Sequence, residues 1–181
     1  MTTAPETSGR GATGVAAMVM LTLGALLSLG YAGWAFTARR GIFADFADGN
    51  AVSVDDAESS DTIDTFFLIA AGVVALLALV LWIVRKAGKQ TSGGALDLTG
   101  LALAAVGVVT VAVGLFLASG VPDADGQAAQ GDKGVLAALV TGAGFAVLAI
   151  GLLVGIFAVR GSKQAGSNGY APGPTPGYQN W

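Results

Sequence analysis

Residues 134–160 read GVLAALVTGAGFAVLAIGLLVGIFAVR, with no ionisable side chain before Arg160. Apolar residues occupy every face of this run, whereas a helix on the surface of a soluble protein carries one apolar stripe. At ~1.5 Å per residue the run is long enough to cross a ~30 Å hydrocarbon core with some tilt. The solvent that accepts such a helix is lipid, and the reading extends to the rest of the chain.

Three further runs have the same character. Working back from the quoted stretch, they lie at about 96–118, 65–84 and 14–37. The spacing predicts an all-α four-helix transmembrane bundle, with spans at about 14–37, 65–84, 96–118 and 134–159, short connecting loops and a polar N-terminal segment over 1–13. The first span is predicted to end at Arg39-Arg40-Gly41, a basic pair followed by a glycine. Its apolar run is longer than that of a signal peptide and has no Ala-x-Ala site behind it, so it is read as an uncleaved span. Residues 161–181 contain Pro172, Pro174 and Pro176 among glycines and tyrosines, a composition that excludes a helix interior and predicts a disordered tail.

Charge is scarce, at 12% of residues, and mean hydropathy is +0.69. Its distribution is uneven. The segment 41–64 carries Asp45, Asp48, Asp55, Asp56, Glu58, Asp61 and Asp64 and no base. It is predicted to be an acidic external loop with a turn at Asp48-Gly49-Asn50, and Asp61 or a nearby serine is the expected cap of the second helix. With both termini inside, the inner bases are Arg10, Arg85, Lys86, Lys89, Arg160 and Lys163, against Arg39, Arg40 and Lys133 outside. This excess predicts cytoplasmic termini. Arg39-Arg40 runs against the rule, and snorkelling at a helix end is the expected accommodation.

Cysteine and histidine are both absent. Disulfides, thiolate or imidazole metal sites, cysteine nucleophiles and Ser-His-Asp triads are thereby excluded. No Asp, Glu, Lys or Arg falls deep in a predicted span, as proton relays and ion-coupled transporters normally require. No cofactor is expected, and no enzymatic or nucleic-acid-binding role. The weak metal candidates are Asp123, Asp125 and Asp132, around Gly126 in partial EF-hand register. Val121 stands where the first ligand would be, so a hairpin turn is the favoured reading.

Small residues recur at helical spacing. On the third span they are Gly100, Ala104, Gly107, Gly114 and Ala118, with Val111 between; on the fourth, Ala137, Thr141, Gly144, Gly151, Gly155 and Ala158; on the first, Ala17, Gly24 and Ser28. Lipid gives helices no hydrophobic reason to associate, so close backbone approach must hold them. The favoured packing positions are Gly100, Ala104, Gly107, Gly114, Gly144, Gly151 and Gly155. Ile42, Phe43 and Phe46 are expected along the outer interface, and Trp34 and Trp82 in the aromatic belt. The exits Val84-Arg85 and Val159-Arg160, each followed by Lys-Gln, suggest a faint two-hairpin repeat.

The Ala/Gly-rich spans, the exit Leu81-Trp-Ile-Val-Arg85 and the Gly-Tyr-Pro tail resemble small four-helix membrane proteins of high-GC actinobacteria. That resemblance implies a source and no activity. The expected function is a non-catalytic accessory or scaffold subunit of a plasma-membrane complex, contacting lipid and a membrane-protein partner or a second copy; a small transporter, channel or holin-like pore former is the alternative.

Single cysteines in this cysteine-free chain test the orientation. Positions 50 and 126 should react with an impermeant thiol reagent in intact cells, and positions 89 and 167 should react only after lysis. The reverse pattern would overturn the assignment.

Overall fold

The computed structural model describes residues 8–87 and 94–165, with side chains over 14–87 and 94–160. The polar segment before Ser8 and the tail beyond Ala165, predicted to be disordered, lie outside the described residues. The order of elements is α1 (Ser8–Trp34), a π-helical turn (Ala35–Arg39), α2 (Arg40–Ala47), α3 (Val54–Ala87), α4 (Ala95–Ser119) and α5 (Gln127–Ala165), with no strand among the described residues. Four helical rods are long and apolar enough to cross a membrane, over Gly14–Ala47, Val54–Ala87, Ala95–Ser119 and Gln127–Arg160. The chain is an all-α, multi-pass integral membrane protein.

The helices are longer than the apolar runs. The rod through α1 and α2 passes Arg39-Arg40-Gly41 without a break, because Gly41 has open space around it and the residues beyond it pack onto α5. The actual stop comes at Gly49, in the left-handed region (φ +75°). There the Asn50 amide donates to Asp45 O at 2.9 Å and the Gly49 amide to Phe46 O at 3.3 Å, a Schellman-type closure. α3 then starts at Val54, eleven residues before the expected start at Thr65. Ser53 caps it, accepting the Asp56 amide at 3.1 Å and donating to the Asp56 carboxylate at 2.6 Å. The stretch 41–64 is therefore a helical hairpin with a short turn, rather than a loop. α5 likewise begins at Gln127, one turn and more ahead of Gly134.

α5 is the hub. It packs along α4, α1 and α2; α3 packs chiefly on α1 and touches α5 little. Within the most apolar windows, 56% of α5 is covered by other helices, against 17% of α4 and 22% of α3. The uncovered faces carry Phe66, Val73 and Val80 on α3 and Leu98, Val109 and Phe116 on α4, the surface that lipid solvates.

The α4–α5 contact is made backbone to backbone. A Cβ added at Gly107 would lie 2.5 Å from the Leu148 amide nitrogen, one at Gly144 2.5 Å from that of Val111, and one at Gly151 2.5 Å from that of Ala104. At Gly114 it would collide with the Thr141 hydroxyl. The pairs run antiparallel at alternating three- and four-residue spacing, the register of a left-handed helix pair. At the end of the bundle that carries Arg85, Gly100 and Gly155 leave room for the indole of Trp82, to which added Cβ atoms would come within 2.7 and 2.9 Å. Trp82 is thus buried in the bundle and not in an aromatic belt. Its helix contributes a further small-residue stripe, Ala71, Ala75 and Ala78, which faces α1 over Gly24. Thr22, Thr110 and Thr141 donate to carbonyls four residues back in their own helices.

Gly107→Leu and Gly151→Leu should each lower resistance to denaturing detergent by roughly 1–3 kcal/mol or more, through overpacking. Val109→Leu, on the lipid face of α4, should change it little. Equal behaviour of the three variants would contradict the α4–α5 register.

Candidate functional site

α2, the first turns of α3 and the first turns of α5 extend the bundle beyond the apolar runs and form a cap at one end. All ten acids of the 41–64 and 119–133 segments belong to this end. The cap is held by apolar contacts: Phe43 lies over Gly134, where an added Cβ would collide with its ring, and Ala47 lies on Gly131, whose added Cβ would meet it at 2.5 Å. The Gln127 side chain donates to Phe46 O at 3.1 Å. Ile42, Phe43 and Phe46 are each partly buried. They face the cavity side of the cap.

Inside the cap sits one cation. Arg39 Nη2 is 2.6 Å from Asp61 Oδ1 and Nε is 3.7 Å from Asp64 Oδ2. Nη1 donates to Ser60 Oγ at 3.4 Å, and the guanidinium carbon lies 4.6 Å from the centroid of the Phe43 ring. From below, the Tyr31 hydroxyl donates to Asp64 Oδ1 at 3.1 Å. Tyr31 in turn packs edge-on against Phe67 and at a tilt against Phe145. The cluster therefore ties α1 to α3.

The π-helical turn makes this geometry available. A π turn holds an extra residue, so the helix is re-phased after Trp34 and Arg39 follows Tyr31 and Ala35 on the inward face. Such turns recur at functional sites. Arg40, the next residue, is exposed. The basic pair that looked like a snorkelling helix end is split: one arginine faces inward to two carboxylates, the other faces out.

Beside the cluster lies a cavity of about 720 Å³, within the ~300–1,000 Å³ range of small-molecule sites. α2 contributes Ile42, Phe43 and Phe46; α3 contributes Val54, Ala57, Asp61 and Asp64; α4 ends on it with Leu115 and Ala118; α5 supplies Gln130, Ala138 and Thr141. Arg39 is the one cationic residue in its wall. α3 and α4 both contribute to its wall; the contact between them is slight and includes Trp82 against Gly100, toward the other end of the bundle.

The residues singled out from sequence fall elsewhere. Gly100, Ala104, Gly107, Gly114, Gly144, Gly151 and Gly155 are brought together along the α4–α5 contact, away from the cavity except near Thr141. Asp123 and Asp125 occupy the turn between α4 and α5, Asp132 lies on α5, and all three are exposed. Among the described residues no group of three or more carboxylates gathers into a metal-binding set. Arg39, Tyr31, Asp61 and Asp64 were not singled out as a site. The signal for them was the i, i+3 spacing of Asp61 and Asp64, legible only once α3 is known to begin before them.

Comparison with known protein families, curated proteins and solved structures finds no match to this chain.

Asp64 and Asp61 should differ in weight. The side chain of Asp64 is 19% exposed and that of Asp61 67%. Asp64→Leu should cost roughly 1.5–3 kcal/mol, since it removes a carboxylate bonded to both Tyr31 and a largely buried arginine. Asp61→Asn should cost under about 1 kcal/mol, as exposed pairs do. Denaturation in mixed detergent micelles reads the difference, and equal losses would contradict the geometry.

Proposed function

We propose that the chain is a non-catalytic accessory or scaffold subunit of a bacterial plasma-membrane complex, with cytoplasmic termini and the acidic cap outside. The observation that carries this reading is the closed interior of the bundle. α4 and α5 meet backbone to backbone at successive turns, and Trp82 fills the space between them at the inner end. Between the Arg39 cluster and the Arg85 end, the buried polar side chains among the described residues are Ser28 and Thr141. A conducting or transporting path needs a continuous polar lining, and these two hydroxyls do not make one.

The placement of Arg39 also supports the orientation. An arginine neutralised by two carboxylates inside the fold adds little to the outward basic count, which leaves Arg40 and Lys133 as the exposed outer bases. The uncovered faces of α3 and α4 are available to a membrane-protein partner or a second copy.

Purified protein in planar bilayers should be electrically silent, and neutralising Asp55, Asp56 and Glu58 should leave it so. A cation current that falls, chiefly at low salt, when these become Asn, Asn and Gln would sink the accessory reading and promote the pore. The low-salt criterion follows because exposed charges are screened within ~8–10 Å at physiological ionic strength.

A further inference from the structure

The cavity in the cap has a built-in charge preference. Two carboxylates, Asp61 and Asp64, and one guanidinium, Arg39, stand in its wall. Arg39 is shared between both acids, so one negative charge is left without a counter-charge in the lining. Asp64 is further engaged by the Tyr31 hydroxyl, whereas Asp61 meets Arg39 through Oδ1 and is otherwise open. The rest of the lining is largely apolar: Ile42, Phe43, Phe46, Val54, Leu115 and Val121. An apolar pocket with a few convergent polar groups is the usual form of a small-molecule site. The remaining acids of the cap, among them Asp55, Asp56 and Glu58, are exposed nearby in sequence and add to the negative field.

We propose that this cavity is a binding site for a hydrophobic ammonium: a single positive charge meeting Asp61 and Asp64, with an apolar body against Phe43, Phe46 and Val121. An anionic amphiphile would add charge of the sign already in excess, and a neutral one would leave the excess uncompensated. The ammonium could belong to a free hydrophobic amine or to an ethanolamine lipid headgroup. The chemistry is common to both, and the experiment separates them.

Full-length protein in neutral detergent is titrated with 4-phenylbutylamine, with 4-phenylbutanol and 5-phenylpentanoate as neutral and anionic counterparts, by calorimetry. The amine should bind saturably and at least tenfold more tightly than either counterpart. Asp61→Asn should weaken the amine about tenfold without affecting the alcohol, and Asp61→Glu should restore it. Ala118→Trp places an indole in the cavity from an exposed position at the end of α4 and should abolish binding of all three. Unfolding of each variant is measured alongside, so that binding is compared only among folded proteins. Equal binding of amine and alcohol, indifference to Asp61→Asn, or full binding in Ala118→Trp would each overturn the proposal. Repeating the titration in nanodiscs of phosphatidylethanolamine and of phosphatidylglycerol assigns the source. Competition in the first alone supports a lipid headgroup as the occupant, and undiminished binding in both supports a free amine.

Discussion

The backbone contact between α4 and α5 is the constraint from which the arrangement follows. In water, two helices associate because their apolar stripes leave solvent; in hydrocarbon that difference vanishes, and packing distance becomes the main resource. Glycine at Gly107, Gly114, Gly144 and Gly151 removes the Cβ atoms that would hold the two helices apart. Each glycine in a helix interior sacrifices roughly 1 kcal/mol of propensity relative to alanine, so a run of them is stable only where dispersion across a close contact offsets the loss. With α4 fixed on one side of α5, the other sides remain for α1 and α2. α3 is then placed against α1, where Ala71, Ala75 and Ala78 allow approach.

The same arrangement explains why the cap is hollow. α3 and α4 lie chiefly on different neighbours, α1 and α5, and touch each other little. Toward the Arg85 end Trp82 fills the space between them, large enough to reach Gly100 on α4 and Gly155 on α5 at once. At the opposite end α4 stops at Ser119 while α3 and α5 extend further. There the space between the helices is the 720 Å³ cavity. The bundle is closed at one end by an indole and open at the other.

The spans were legible because the membrane imposes a pattern that survives any tertiary detail: no charge and no polar face over ~20 residues. The small-residue positions on α4 and α5 alternate at three and four residues, the spacing of the contact between the two helices. The ends of the helices were not. Arg39-Arg40-Gly41 has the form of a helix stop, and only the packing of Phe43 and Ala47 on glycines of α5 carries the helix through it. The start of α3 was written locally, as Ser53 with Asp56 three residues on, but a run of acids in water-facing sequence reads equally well as a loop. With α3 expected to start at Thr65, Asp61 and Asp64 share no helix face and Arg39 has no partner on it; the start at Val54 supplies both. Trp82 was misplaced for another reason. Nearness to a span end suggests an interfacial belt, while the vacancy that receives the indole is created by glycines on two other helices.

The charge pattern of the cap follows from burying Arg39. A guanidinium at the edge of a hydrocarbon core is costly unless paired, and the structure surrounds it with Asp61, Asp64, the Ser60 hydroxyl and the Phe43 ring. Pairing with one carboxylate would have left the site neutral. Pairing with two reverses its sign, and the second acid is the more exposed of the pair. An ion pair that served only to join α1 to α3 would be complete with Asp64, which also holds Tyr31. Asp61 adds little to that joint, because exposed pairs contribute little. What it adds is an accessible negative charge in the wall of an apolar cavity, and that is a property of a site for a cation rather than of a structural bolt.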